Sequence, residues 1–260
     1  MNWQTINEVD GAGVLVHKDQ LFMGCRRVIK VYDLSSKTLY REIGKGIFAS
    51  NFVRGLVIHK NTLLATDQTN KLHVFDIDGK HQNSFTVEGM SQGRGMAIHN
   101  HKLFICDGSG RCVRVVNPDT GKLLKTIGSQ GDGKDQFSYP SFITSADNRL
   151  YVTEYGNNRV KVMDEQGTFV DQFSASNPTG IAISGKDIIV SEYGKGQVSL
   201  YDKNHKFAKV LLECSDPWGV FITDRGQVIV AAGDSEIHIS GTAGVYTDVV
   251  VSYNLIRLFV

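Results

Sequence analysis

One four-part pattern recurs six times along the 260-residue chain, and that recurrence limits the fold more than any local feature does. Its first part reads GVLVH (13–17), GLVIH (55–59), GMAIH (95–99), FITSA (142–146), GIAIS (180–184) and GVFIT (219–223). The second reads LFMGC, LLATD, LFICD, LYVTE, IIVSE and VIVAA, and the third VIKVYD, LHVFD, VRVVN, VKVMD, VSLYD and EIHIS. A fourth comes next in most repeats: TLYREIG, HQNSFTV, KLLKTIG, TFVDQFS and KFAKVLL. The positions Gly55, Gly95, Phe142, Gly180 and Gly219 are 40, 47, 38 and 39 residues apart. Each part is short and rich in Val, Ile, Leu, Phe and Tyr, with Gly, Asn, Asp and Lys between parts, which is strand-and-turn chemistry. Four strands in about 40 residues, repeated radially, predict an all-β six-bladed β-propeller built from four-stranded antiparallel blades. The blades are expected at about 11–48, 54–88, 94–130, 140–175, 178–214 and 217–250 in a single domain, with an atypical tail over 241–260. In such a ring the first strand of each blade lines the channel, where converging strands favour the recurring glycine.

A propeller must protect its last edge, commonly by completing the final blade with a strand from the opposite terminus. WQTINEV near the N-terminus can supply that strand, and so can TDVVV or NLIRLFV in the tail.

Bulk properties narrow the function classes. With 28 basic against 27 acidic residues the net charge is +1, so no global attraction to DNA or to an anionic membrane is expected. Cys25, Cys106, Cys112 and Cys214 form no closely spaced pair, which removes finger-type zinc sites and predicts reduced thiols. The N-terminus has no basic region leading into an apolar run, and no stretch reaches the roughly 20 apolar residues of a membrane helix. A soluble, cytoplasmic protein is the expectation.

The period alone also suits WD40 blades, but no GH…WD pairing occurs. Instead the second strand ends in Asp67, Asp107, Glu154 or Glu192. The stretch from Gly128 to Phe173 closely resembles an NHL repeat. Gly128, Gly131, Gly133, Phe137 and Pro140 match the family's lead-in, and Glu154, Asn157, Arg159, Val160, Val162, Asp164 and Gly167 match the body of the repeat. The fifth repeat matches well, the second and third match with gaps, and the first and sixth are degenerate. The resemblance covers roughly residues 11–240. It implies a binding platform like the C-terminal propeller of tripartite-motif NHL proteins, ubiquitin ligases whose propeller selects the target. The RING and B-box cysteines and histidines of that family are missing from this sequence, so the platform is expected to be non-catalytic.

Loops joining strand 2 to strand 3, and loops joining blades, share one face of a propeller. That face is expected to carry Arg26, Arg27, Arg54, Lys71, Arg94, Arg111, Arg159 and Lys195 together with Tyr139, Tyr155, Tyr193 and Trp218. Arg54, Arg94 and Trp218 directly precede the strand-1 glycine, which places them at the channel mouth. Tyr, Trp and Arg are favoured anchors of protein interfaces, so protein or peptide partners are the first expectation. Arginines beside exposed rings also suit single-stranded RNA, through phosphate contacts and base stacking. For RNA the carriers are Arg26, Arg27, Arg54, Arg94, Tyr155 and Arg159. The loop after Cys25 and the 45–54 stretch are basic, whereas Glu213, Asp216, Asp234 and Glu236 make the sixth sector acidic.

A metal-dependent propeller hydrolase or lyase is a third class. Four carboxylates at one repeat position read as blade-tying hydrogen-bond acceptors, since a catalytic site needs only one or two. His17, His59 and His99 also share a repeat position, but on splayed blades that do not converge within about 2.1 Å of one ion. No cofactor or metal is expected. Cys106 and Cys112 read as small buried hydrophobes, and the glycine-rich 131–137 stretch lacks a GK pair ahead of Ser or Thr and reads as an inter-blade loop.

Overall fold

The computed structural model describes residues 1–7, 11–48, 52–233 and 236–241. It begins with β1 (Trp3–Ile6). Blade 1 is built from β2 (Gly11–His17), β3 (Gln20–Cys25), β4 (Val28–Asp33) and β5 (Leu39–Ile43). Blade 2 is β6 (Gly55–His59), β7 (Thr62–Thr66), β8 (Lys71–Asp76) and β9 (His81–Thr86). Blade 3 is β10 (Gly93–His99), β11 (Lys102–Asp107), β12 (Cys112–Val116) and β13 (Leu123–Ile127). A two-strand parallel ribbon, β14 (Ser129–Gln130) with β15 (Gln136–Phe137), leads into the next blade.

Blade 4 comprises β16 (Pro140–Ala146), β17 (Arg149–Glu154), β18 (Arg159–Asp164) and β19 (Phe169–Ser174). Blade 5 comprises β20 (Pro178–Ser184), β21 (Asp187–Glu192), β22 (Gln197–Tyr201) and β23 (Phe207–Glu213). The last three strands are β24 (Pro217–Ile222), β25 (Val228–Ala232) and β26 (Ile237–Ser240). Every blade is an antiparallel meander, and the sixth reads β1-β26-β25-β24. The architecture is thus all-β, six blades of four strands, as the repeat implied.

The N-terminal segment closes the ring. Trp3 pairs with Ser240 and Ile6 with Ile237, and the Gly241 amide donates to the Asn2 carbonyl at 2.8 Å. Of the three closing segments the sequence offered, WQTI takes the place; TDVVV and NLIRLFV lie outside the described residues.

The core is a set of apolar layers between neighbouring blades. Leu15, Phe22, Val53, Leu63 and Phe75 fill the space between blades 1 and 2, and Phe104, Val113, Ile127, Phe137 and Val152 that between blades 3 and 4. Because both faces of each sheet are covered, the second strands are buried along most of their length instead of alternating. At the axis the inner strands nearly touch. A Cβ at Gly55 would overlap the Arg94 carbonyl of blade 3, and one at Gly219 would stand 2.5 Å from the Ala12 carbonyl of blade 1. Glycine at these positions permits close approach of one backbone to the next. Among the described residues no helix is long and apolar enough to cross a membrane.

Candidate functional site

Four fully buried carboxylates organise the loops on the face that carries the strand 2–3 turns. Each sits at or just beyond the end of a second strand, and three of them accept backbone N–H groups from the loop that enters their own blade. Asp107 accepts from Ser91 N (3.0 Å), Gln92 N (2.9 Å) and Gly110 N (2.9 Å), with the Arg114 guanidinium beside it. Glu192 accepts from Ser176 N (2.8 Å), Ser199 Oγ (2.6 Å) and Tyr201 Oη (3.0 Å). Burial by itself pushes the Glu192 carboxyl up, but these donors and the Lys195 ammonium together hold it below the usual carboxylate range. Asp67 takes the Thr69 hydroxyl at 2.5 Å and faces His73 Nε2 at 3.3 Å.

The Glu154 cluster is the densest. Glu154 accepts from Ser138 N (3.1 Å), Asn157 Nδ2 (2.6 Å) and Arg159 Nε (2.7 Å). Arg159 also donates to the carbonyls of Asp132 (2.7 Å), Gly133 (3.1 Å) and Gln136 (3.2 Å). Asn157 holds the Gly131 carbonyl at 3.0 Å. Lys161, fully buried, donates to the Gln136 carbonyl and lies 3.9 Å from the Phe137 ring centroid. Burial lowers its ammonium pKa, against the opposing pull of Glu154. This corrects the expectation that Arg159 belongs to the partner face. The residue is buried and its guanidinium is directed into the 131–136 loop, where it serves loop carbonyls and both Glu154 oxygens that face the interior.

The loops so fixed present rings and guanidinium groups around the channel mouth. Arg54 of blade 2 lies 4.2 Å from the Trp218 ring centroid of blade 6 and 5.2 Å from that of Phe52. The contact spans blade 1, whose equivalent residue is the small, buried Ala12. Trp218 packs on Tyr193 (5.3 Å, 52° tilted), and Tyr193 meets Tyr155 edge-on (5.8 Å, 62°). Short 3-10 turns, Tyr155–Asn157 and Tyr193–Lys195, position the two tyrosines. On the other side Arg111 lies 3.4 Å and Arg94 5.7 Å from the Tyr139 centroid. Tyr139 is 38% exposed, and Trp218, Tyr155 and Tyr193 are half-buried.

The mouth is electrostatically graded. Asp216 beside Tyr193, the largest influence on it, raises that phenol's pKa in the acidic sector. Burial lowers the pKa of the Arg94 guanidinium, which donates to Gln92 (3.2 Å) and Ser141 (3.4 Å). Arg111 reaches Ser138 Oγ at 3.2 Å, Lys71 reaches Thr86, and Lys195 sits 3.2 Å from Glu192. Arg26 and Arg27 are exposed at the rim of blade 1. Of the nine expected partner-face residues, Arg94, Arg111, Tyr155, Tyr193 and Trp218 gather at the mouth, Arg54 is buried there beneath the Trp218 ring, Arg26 and Arg27 stand outside it, and Arg159 is buried in the 131–136 loop. Nothing in the repeat pattern signals the Arg54–Trp218 stack directly; the alanine at position 12 is the available clue.

On the opposite face His59 meets Asp119 of blade 3 at 3.2 Å and His99 meets Glu165 of blade 4 at 3.1 Å, so these histidines pair with carboxylates of the next blade and not with one another. Burial lowers the pKa of His17. Cys106 and Cys112 are free thiols, and burial pushes the Cys112 thiol up to about 11. No group of three or more His, Cys, Asp or Glu positioned to hold a metal ion occurs among the described residues.

The comparisons agree with this anatomy. A family model described as NHL repeat matches residues 137–163, from β15 to the body of β18. Among solved structures, a streptogramin B lyase superposes with a TM-score of 0.70 at 12% identity, covering 92% of this chain and 96% of that one. The computationally designed Ika8 protein superposes with a TM-score of 0.57 at 18% identity, covering 88% and 70%. At these identities the likeness is one of fold. The chain is a six-bladed β-propeller that carries an NHL repeat in its fourth blade.

Proposed function

We propose that this propeller is a non-catalytic platform that docks protein partners over its channel mouth, in the manner of the target-selecting propellers of tripartite-motif NHL ligases. The observation that carries the reading is the run Arg54–Trp218–Tyr193–Tyr155, a contiguous set of half-buried rings closed by a guanidinium. Rigid rings with few rotatable bonds lose little entropy on binding, and Trp, Tyr and Arg dominate interface energetics. The recurrent carboxylates support a binding role in a second way. Their oxygens are engaged by backbone amides and neighbouring side chains, which leaves them loop anchors and not free acids or bases. On this reading a cytoplasmic location suits the free thiols of Cys106 and Cys112.

Single-stranded RNA is the second reading, favoured by the exposed Arg26 and Arg27 beside an aromatic mouth. The engagement of the other cations weighs against it: Arg54 stacks on Trp218, Arg94 binds Gln92 and Ser141, and Arg159 is buried. The deciding test combines affinity capture and crosslinking with the wild type, an Arg54→Ala/Trp218→Ala pair, and a gel shift on a random RNA pool at about 50 and 200 mM salt. Protein partners lost in the double variant, with no salt-sensitive RNA retention, support docking. RNA retention abolished by the same pair would replace it.

A further inference from the structure

Blade 1 carries a cavity of about 400 Å³ at the outer rim of the same face. It forms where the turn between β3 and β4 meets the chain leaving β5. Arg26, Arg27, Glu42 and Lys45 line it together with the apolar Val28 and Phe48. Arg26, Arg27 and Lys45 are all exposed, and none of the three side chains enters an ion pair or hydrogen bond among the described residues. Four other cations of this face are held: Arg94 by Gln92, Arg111 by Ser138, Arg114 by Asp107, Arg159 by Glu154. Three cations against one carboxylate leave an excess of two positive charges around one concavity, a mutual repulsion that an anion relieves.

The frame of the cavity is well held. Arg27 is fixed in the left-handed region at φ 61°, and Phe48 is packed on His73 (5.0 Å) and Phe75 (5.7 Å). Arg26 is bridged to Phe52, whose ring lies against Arg54 at the channel mouth.

These features select a ligand chemistry. A phosphate monoester carries about −1.5 to −2 at neutral pH, which matches the excess charge, and guanidinium groups bind its oxygens in pairs. The apolar wall calls for a flat carbon group between the phosphate and the rest of the ligand. A phenyl ring supplies one, and a phosphoserine side chain does not. Resting on the docking reading above, we infer that this cavity is an aryl-phosphate pocket that takes a phosphotyrosine side chain of a protein docked at the channel mouth.

The test is fluorescence anisotropy of a labelled Gly-Ala-phosphotyrosine-Ala-Gly peptide with the full chain, beside its tyrosine and phosphoserine counterparts and a 5′-phosphorylated single-stranded RNA. The phosphotyrosine peptide binds, the tyrosine peptide does not, and the phosphoserine peptide is at least about tenfold weaker. Arg26→Ala with Arg27→Ala, and separately Lys45→Glu, weaken the phosphotyrosine peptide by about tenfold or more at unchanged melting temperature. Trp218→Ala leaves it unaffected. Equal affinity for the tyrosine or phosphoserine peptide, no phosphotyrosine binding, or loss on Trp218→Ala would each overturn the pocket. RNA binding tighter than the peptide and dependent on the same three cations would overturn it in favour of nucleic acid. Failure of the docking reading is read separately, as partner capture that survives the Arg54→Ala/Trp218→Ala pair.

Discussion

At the scale of single residues, the NHL signature of blade 4 is a wiring diagram for one loop. Glu154, Asn157 and Arg159 lie within six positions in sequence, yet Asn157 and Arg159 donate to carbonyls at 131, 132, 133 and 136 while Glu154 accepts from the Ser138 amide. Arg159→Ala is expected to cost about 3 kcal/mol, the range for breaking one side of a buried ion pair, because Glu154 then loses a partner in the interior. Urea unfolding measures it, and a change below about 1 kcal/mol would show that Lys161 compensates. Arg159→Lys is expected to fall between, since a point charge cannot fan across three carbonyls. Glu192 gives the pH dependence. Its carboxyl is held below the ordinary range when folded, so it adds stability above the unfolded pKa of about 4.3, and that stability is lost as pH falls through the folded pKa. Ser199→Ala removes the 2.6 Å donor, so the folded pKa rises and acid unfolding, tracked by circular dichroism, begins at higher pH. An unchanged acid transition would mean that Tyr201 and the Ser176 amide suffice.

At the scale of elements, closure is the feature with the largest leverage. β1 pairs with β26 from the opposite end of the described chain, and its Ile6 and Trp3 pack into the layers on either side of blade 6. Removing residues 1–6 exposes the β26 edge and both layers, so a drop in melting temperature well beyond that of any single core truncation is expected, with partial restoration by a synthetic MNWQTINEVD peptide. If truncated protein melts like the intact chain, another segment takes the fourth-strand place. Ile6→Ala is the milder probe, at about 2 kcal/mol. The strands themselves were legible in the sequence because each repeat restates them, and a misreading of one is corrected by five others. Closure was not, since WQTI and TDVVV have equal strand character and only spatial order separates them. The same holds for Arg159. Its place after a strand 2–3 turn reads as exposed, and only the path of the 131–136 loop over it turns it inward. The Arg54–Trp218 contact was illegible for a related reason: it joins blades 2 and 6 across blade 1, and the closed ring brings them within reach only because Ala12 leaves the gap open.

At the scale of the whole molecule, the two faces have different tasks on the docking reading. The face opposite the mouth is laced by contacts between successive blades: His59 with Asp119, His99 with Glu165, Asp171 with His205, and Arg225 with Asp19 where blade 6 meets blade 1. Most of these involve an exposed partner, so each is worth no more than about 1 kcal/mol. The mouth instead leaves its rings in partial contact with water, Tyr139 exposed and Tyr155, Tyr193 and Trp218 half-buried. Substitutions on the two faces should therefore separate cleanly. Asp119→Asn with Glu165→Gln is expected to lower stability by less than about 2 kcal/mol in total and leave partner binding unchanged. Trp218→Ala is expected to leave the melting temperature within a few degrees and weaken partner binding by about tenfold or more, the scale of an aromatic anchor. The chain has two tryptophans, Trp3 and Trp218, at opposite edges of blade 6, so Trp3→Phe leaves a single fluorophore at the mouth. In that variant a bound partner should shift the remaining emission, because Trp218 moves from partial contact with water into an interface. An emission spectrum that stays constant while binding is saturated would place the partner elsewhere on the molecule and return the mouth to a purely structural role.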